Sequence, residues 1–329
     1  MTKLGIMLRS YVPVRASIEL AQEAERRGFH SVWVTEGMDA KDAFTQMTAL
    51  AMSTETIKIG SGIVPIYTRT PVLTAMSMMA LAEISKERCI LGLGASHPWI
   101  VEGGHGLKLD RPLSRMREYV EIIRGVLQQR EFTYKGNFYD IPRYISYSRH
   151  HFEHQPFQVP IFLAALRLGM ARLAGTIGDG VLLNLATADY LARAAKVVRQ
   201  EAQEVRRDPT KVTVASLVGV AVSQDESAAA EAVRLEAARY PTLQPFYRSM
   251  LREAGFAKEM DAIGPDVETG NVESAVKKIP DTMVSALGAF GPPKRARERF
   301  RPFQETGADL LVIMPYIPQG VEPAQAIAD

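Results

Sequence analysis

The sequence predicts an α/β protein: a single (β/α)8 TIM barrel spanning 1–329, with insertions near 131–158 and 227–293. Short apolar runs alternate with amphipathic stretches along the chain, the pattern that a parallel sheet with crossover helices writes into a sequence. Three of the runs follow a helix-like stretch through a glycine, at Gly28, Gly178 and Gly307, so one supersecondary unit is reused. The 329 residues, 47% hydrophobic and 23% charged, suit one large domain with a sizeable core.

Eight strands are expected, at 4–10, 31–36, 57–64, 89–95, 160–166, 180–184, 212–221 and 309–315. Gly28, Gly178 and Gly307 are each expected to close a helix in a left-handed conformation before the chain turns into the sheet. After Pro112, the residues Leu113, Met116, Val120, Ile123 and Leu127 recur at helical steps and form one apolar face, which must pack on the sheet. In 72–85, by contrast, Met76, Met78, Met79 and Leu81 spread around the circumference, which predicts burial on several sides or a subunit contact. A homodimer or higher homo-oligomer is therefore expected. The aromatic stretch 131–158 predicts a hairpin around Gly136-Asn137, in an excursion over one barrel mouth. The stretch 227–293 predicts extra helices separated at Tyr240-Pro241 and Gly264-Pro265, of the kind that builds pocket walls.

Charge and motifs narrow the function. Lys plus Arg number 39 against 37 acidic residues, a balance of +2 with no basic stripe, which argues against nucleic-acid binding. The single Cys89 can form neither an internal disulfide nor a CxxC metal site, and with the N-terminal run entering a strand directly a cytoplasmic protein is expected. No apolar run reaches the roughly 18 residues a membrane helix needs. The cluster His150-His151-Phe152-Glu153-His154 sits away from any strand end and lacks a metal-ligand spacing, so no metal is expected. Nucleophile-elbow and Walker motifs are absent from the sequence.

Barrel chemistry sits at the C-terminal strand ends. These ends supply Arg9 and Ser10, Thr35 and Glu36, 60–65, 94–97, 165–169 and Asn184. Two glycines in Gly60-Ser61-Gly62-Ile63-Val64-Pro65 suit a backbone that bulges or meets a ligand, or else a plain turn. Gly92-Leu93-Gly94 has His97 where a dinucleotide fingerprint needs a small residue, so its glycines, with Ala95 and Ser96, suit a flat ring lying against the strand end. Ala165-Leu166-Arg167-Leu168-Gly169 leaves a strand and opens a helix, where free amides and the helix dipole favour a phosphate; an ordinary loop with a surface arginine is the alternative.

These residues resemble the bacterial luciferase-like superfamily, within it the coenzyme F420-dependent oxidoreductase branch that includes methylenetetrahydromethanopterin reductase. The similar segments are 28–36, 57–64, 69–71, 90–94, 111–119 and 173–184, in family order. The resemblance implies a hydride transfer between a deazaflavin and a small organic substrate, a cis peptide bond at Gly62-Ile63 behind the deazaflavin ring, and a cofactor phosphate held by the backbone around Arg167, Leu168 and Gly169. The candidate cofactor contacts are Thr35, Ser61, Gly62, Ile63, Val64, Ala95, Ser96, Ala165, Leu166, Arg167, Leu168, Gly169 and Asn184. The chain departs from the family where it lacks a glycine-proline-lysine phosphate loop, and where Glu36-Gly37 replaces an aspartate-histidine pair. If the substrate must be protonated, Glu36, His97, Glu102 and His105 are the candidates. An FMN-dependent monooxygenase on the same barrel is the alternative enzyme; a non-catalytic cofactor-binding protein is the alternative outside enzymes.

Overall fold

The computed structural model describes residues 2–37, 41–145 and 156–321. Eight parallel strands close into a ring: β1 (Lys3–Leu8), β2 (Ser31–Val34), β3 (Lys58–Ser61), β4 (Cys89–Gly94), β5 (Ile161–Ala164), β6 (Gly180–Leu183), β7 (Thr213–Val222) and β8 (Leu310–Pro315). Closure comes from β7, which pairs with β6 at Thr213↔Gly180 and with β8 at Ala215↔Leu310, while β8 pairs with β1 at Lys3↔Leu310. All eight expected runs are strands of this (β/α)8 barrel. They were legible because a strand covered on both faces is apolar without interruption.

The barrel interior is filled by pairing large side chains with glycine. Trp33 is fully buried and reaches Phe162, with ring centroids 5.9 Å apart. A Cβ at Gly60 would stand 2.4 Å from the Trp33 ring, and one at Gly180 2.7 Å from the Phe162 ring. The Trp33 indole N–H donates to Ser31 Oγ at 2.8 Å, so burial leaves it no unmet donor.

The outer layer comprises α1 (Val14–Arg26), α2 (Ala43–Ser53), α3 (Pro71–Ser85), α4 (Pro112–Gln128), α5 (Leu168–Ile177), α6 (Ala188–Glu204) and a last crossover helix, Pro293–Gln304. Side-chain caps begin several of them: Asp42 accepts from the Thr45 amide at 2.7 Å, Thr70 from Leu73 at 3.2 Å and Thr187 from Tyr190 at 3.1 Å. Gly28 and Gly307 have φ of 77° and 81°, as their places after helices require. Gly178 differs: its φ is −83°, and glycine is needed there for space, since a Cβ would lie 3.0 Å from the Ala174 carbonyl oxygen. On α4 the predicted stripe Met116, Val120, Ile123 and Leu127 is buried, while Leu113 lies at the exposed start of the helix. On α3, Met78 and Leu81 are buried, whereas Leu73, Met76 and Ile84 form an exposed apolar stripe.

The first insertion is an antiparallel hairpin, Glu131–Lys135 with Asp140–Ile145, turning at Gly136–Tyr139. The hairpin lies along α4, and the rest of the expected excursion, at 146–155, falls outside the described residues. The buried Glu118 carboxylate of α4 accepts the Asn137 and Phe138 amides at 2.7 and 2.9 Å, which fixes the turn to the helix. The histidine cluster at 150–154 lies outside the described residues.

The second insertion opens with α7 (Glu226–Leu243) and α8 (Pro245–Glu253), continues through four short helices, and returns as a strand, Gly288–Gly291, that pairs parallel to β7 at Gly219↔Gly288. Pro241 does not break α7. It sits in the last turn, where its missing N–H costs one bond, and the chain turns instead at Gln244 with Pro245 opening α8. The expected division at Gly264-Pro265 is observed. Among the described residues no helix is long and apolar enough to cross a membrane, and no cluster of His, Cys, Asp and Glu could hold a metal.

Gly60→Ala is expected to destabilise the protein by about 1–3 kcal/mol, because the fully buried Trp33 ring cannot yield to the new methyl. Gly169→Ala, whose Cβ would meet only Leu113 at 3.7 Å, should stay within about 0.5 kcal/mol of the parent. Urea unfolding of both variants checks this; equal stabilities would contradict the interior packing described.

Candidate active site

The strand ends open into a cavity of about 620 Å3 at the C-terminal face of the barrel. Its floor is apolar, formed by Met7, Leu182, Leu217 and Met314 from β1, β6, β7 and β8. One edge is a backbone bulge after β3. The ladder between β3 and β4 pairs Gly60 with Ile90 and resumes at Val64 with Leu93, leaving three residues opposite two. Ser61 fills the gap: its hydroxyl accepts the Gly92 amide at 2.9 Å and donates to the Gly92 carbonyl at 3.0 Å. Gly62 donates to the Val34 carbonyl at 2.7 Å, the Ile63 carbonyl accepts the Glu36 amide at 3.1 Å, and the Gly62-Ile63 peptide is cis. Gly62 and Ile63 therefore face the cavity, and Ser61 and Val64 are buried in the wall behind them. A Cβ at Gly62 would come within 2.9 Å of Met7, so the bulge presents bare backbone.

A second edge follows β5. Ala165 donates to the Leu182 carbonyl at 3.0 Å and Tyr190 Oη donates to the Leu166 carbonyl at 2.8 Å, which ties the loop to β6 and α6. The helix α5 then starts at Leu168 with no side chain capping it; the Met170 amide donates to the Arg167 carbonyl at 3.1 Å, while the Leu168 and Gly169 amides have no partner among the described residues. Arg167 is exposed and has no carboxylate partner among the described residues. Ala165, Leu166, Arg167 and Gly169 line the cavity; the Leu168 side chain turns into the hydrophobic core.

The four candidates for proton handling divide. Glu36 lines the cavity, but its carboxylate accepts the Ala43 amide at 3.0 Å and lies 3.6 Å from Arg69, which also pairs with Asp42. Glu102 and His105 do not line the cavity. The wide turn Trp99–Gly104 sends Trp99 and Ile100 toward the cavity and leaves Glu102 exposed, its carboxylate accepting the Leu109 amide at 3.1 Å; His105, just beyond, is exposed as well. His97 lies in the cavity wall against Phe246 and Tyr247, with ring centroids 6.3 and 6.1 Å away. Its Nδ1 is buried without a partner among the described residues, and burial pushes its pKa down to about 4.

Thr35, Ala95, Ser96 and Asn184 also line the cavity, with Asn184 Nδ2 donating to Tyr247 Oη at 2.8 Å. Sequence reasoning expected a wall from the second insertion but did not name the residues that form it: Arg239, Tyr240, Gln244, Phe246 and Tyr247. A signal was present in Glu236, Arg239 and Tyr240, which fall on one helical face by their three- and four-residue spacing.

The luciferase-like monooxygenase family matches residues 1–310. A 5,10-methylenetetrahydromethanopterin reductase of Methanolobus tindarius is 29% identical over 302 residues, covering 91% of this chain and 90% of the relative. Two solved structures share the fold. The coenzyme F420 dependent tetrahydromethanopterin reductase from Methanopyrus kandleri superposes with a TM-score of 0.81 at 22% identity, covering 99% of this chain and 96% of that one. An F420-dependent secondary alcohol dehydrogenase, in complex with an F420-acetone adduct, superposes at 0.79 and 18% identity with the same coverage. With its barrel, its bulge after β3 and this match over nearly its whole length, the chain belongs to the luciferase-like monooxygenase family.

Proposed function

We propose that this protein is a coenzyme F420-dependent oxidoreductase that passes a hydride between the deazaflavin and a small organic substrate. One observation carries the reading: the bare Gly62-Ile63 bulge and the uncapped start of α5 border the same cavity. The bulge and the apolar floor fit a flat ring, and the α5 amides with Arg167 fit a phosphate. The names of the relatives point the same way. When bound, the deazaflavin supplies the hydride chemistry, and the chain supplies orientation and exclusion of water.

Of the four candidate proton groups, His97 is the best placed. Glu36 is held by Ala43 and Arg69, whereas the neutral His97 ring lines the cavity with no ion pair among the described residues to hold it. The exposed stripe of Leu73, Met76 and Ile84 supports a homo-oligomer built on α3.

Fluorescence titration on one preparation should give saturable F420 binding and weaker or no FMN binding. FMN binding coupled to oxygen uptake, without F420 binding, would overturn the assignment in favour of a monooxygenase. For the stripe, Met76→Glu should lower the sedimenting mass of the protein while its circular dichroism stays unchanged; a parent that sediments as a monomer rules the oligomer out.

The histidine makes a separate prediction. The unfolded chain takes up a proton near the ordinary pKa of 6.5, while folded His97 stays neutral down to about 4. Between those values the unfolded state binds more protons, so stability rises with pH across the window and is lost as pH falls. His97→Gln should shrink the difference in urea midpoint between the two ends of that window. His30 must be substituted in parallel, because burial and nearby lysines depress it to about 4 as well. An undiminished pH slope in His97→Gln would mean that His97 is not held neutral.

A further inference from the structure

We infer that the cavity wall formed by Arg9 and Arg239 is an anion subsite that receives a carboxylate on the substrate. The inference rests on the deazaflavin reading for the edge that the cofactor takes, and it adds the substrate class. In the ring order β1-β2-β3-β4-β5, strand β5 lies four positions from β1 in a barrel of eight, so the two face each other across the mouth. The phosphate cradle after β5 and the guanidinium of Arg9 after β1 therefore stand at opposite edges of one cavity, with the bulge after β3 midway between them.

The charges on this wall do not balance. Arg239 places Nε and Nη2 on Glu236 Oε2, at 3.0 and 2.6 Å, and Arg9 places Nη2 on Glu236 Oε1 at 3.2 Å. Two guanidiniums share one carboxylate. That carboxylate lies behind the wall, with 12% of its side chain exposed, while Arg9 at 15% and Arg239 at 32% line the cavity. The remaining groups around the pair are phenols: Tyr11 and Tyr316 within 5.4 and 5.9 Å of Arg9, and Tyr240 within 4.9 Å of Arg239. They can face a cation but do not neutralise it at neutral pH.

The cavity as a whole repeats the imbalance. Among the described residues its ionisable lining, apart from the neutral His97 and the phenols, consists of Arg9, Arg167, Arg239 and Glu36, and Glu36 is already committed to Arg69. A half-buried cation beside an apolar floor is poorly hydrated and gains most from an anion with two oxygens to match its fork. A clamp between α7 and β1 would need only one arginine on Glu236. The second arginine leaves donors for a ligand.

The test uses cinnamate and cinnamamide, which share a shape and differ in charge, titrated calorimetrically into the F420-loaded protein. The acid should bind at least about tenfold more tightly than the amide. Arg239→Gln should bring that ratio close to one while leaving F420 affinity, read by fluorescence, within about twofold of the parent. Arg9→Gln alone removes the surplus cation while Arg239 keeps the buried Glu236 carboxylate paired, and it should lower the ratio even if Arg239→Gln folds poorly. Equal affinity for acid and amide in the parent, or a ratio that survives in both variants, overturns the subsite. A tenfold loss of F420 affinity in Arg239→Gln also overturns it, since the wall would then serve the cofactor. If F420 fails to bind the parent, the cofactor reading falls separately, and the acid-to-amide ratio in the unloaded protein decides the subsite alone.

Discussion

A side-chain hydroxyl that stands in for a missing rung of the sheet is the constraint on which the site depends. Where β3 carries one residue too many, the β4 backbone at Gly92 would lose its partner in a fully buried ladder, and an unmet buried amide and carbonyl together would cost several kcal/mol. Ser61 meets both with one hydroxyl, and only because Gly92 has no Cβ: such an atom would fall 1.9 Å from the Ser61 carbonyl oxygen. With the ladder satisfied, the next two residues are free to face the cavity. The apparent binding residue Ser61 is thus the support, and its neighbours Gly62 and Ile63 are the surface.

The barrel was legible because its signals are local. Each strand is a short apolar run, and the strand ends then follow by topology, so Thr35, Gly62, Ile63, Ala95, Ser96, Ala165, Arg167, Gly169 and Asn184 could be nominated for a cavity they do line. Local signals also misled. Gly178 has the sequence context of a left-handed cap, yet its backbone is extended, and its neighbours leave little room for a Cβ. Tyr240-Pro241 reads as a break, yet a proline in a final turn forfeits so little that packing of Ala237 and Ala238 keeps α7 intact. Glu102 and His105 are close to His97 in the chain, but the wide turn between them reverses the direction in which they point.

Sequence reasoning expected a wall from 227–293 but could not reach which of its residues meet which others. Arg9 and Glu236 are 227 residues apart, as are no two partners within a single βα unit, and nothing in a run of amino acids announces that they meet. The same holds for His97 between Phe246 and Tyr247. Those rings, which belong to a distant insertion, add to the burial that depresses the imidazole pKa.

That insertion leaves the barrel at the end of β7 and comes back to β7. Its return strand, Gly288–Gly291, hydrogen-bonds to Gly219–Val222, and Val233 of α7 packs so closely there that a Cβ on Gly288 would lie 2.9 Å from it. Both moorings of a detour more than sixty residues long are thereby one strand of the barrel itself. A flap hinged at one end would have to freeze in place each time it met a ligand; this one is tied down at both ends, so the Arg239 it carries, together with the rings around His97, faces the cavity as part of a rigid template rather than as a closing door.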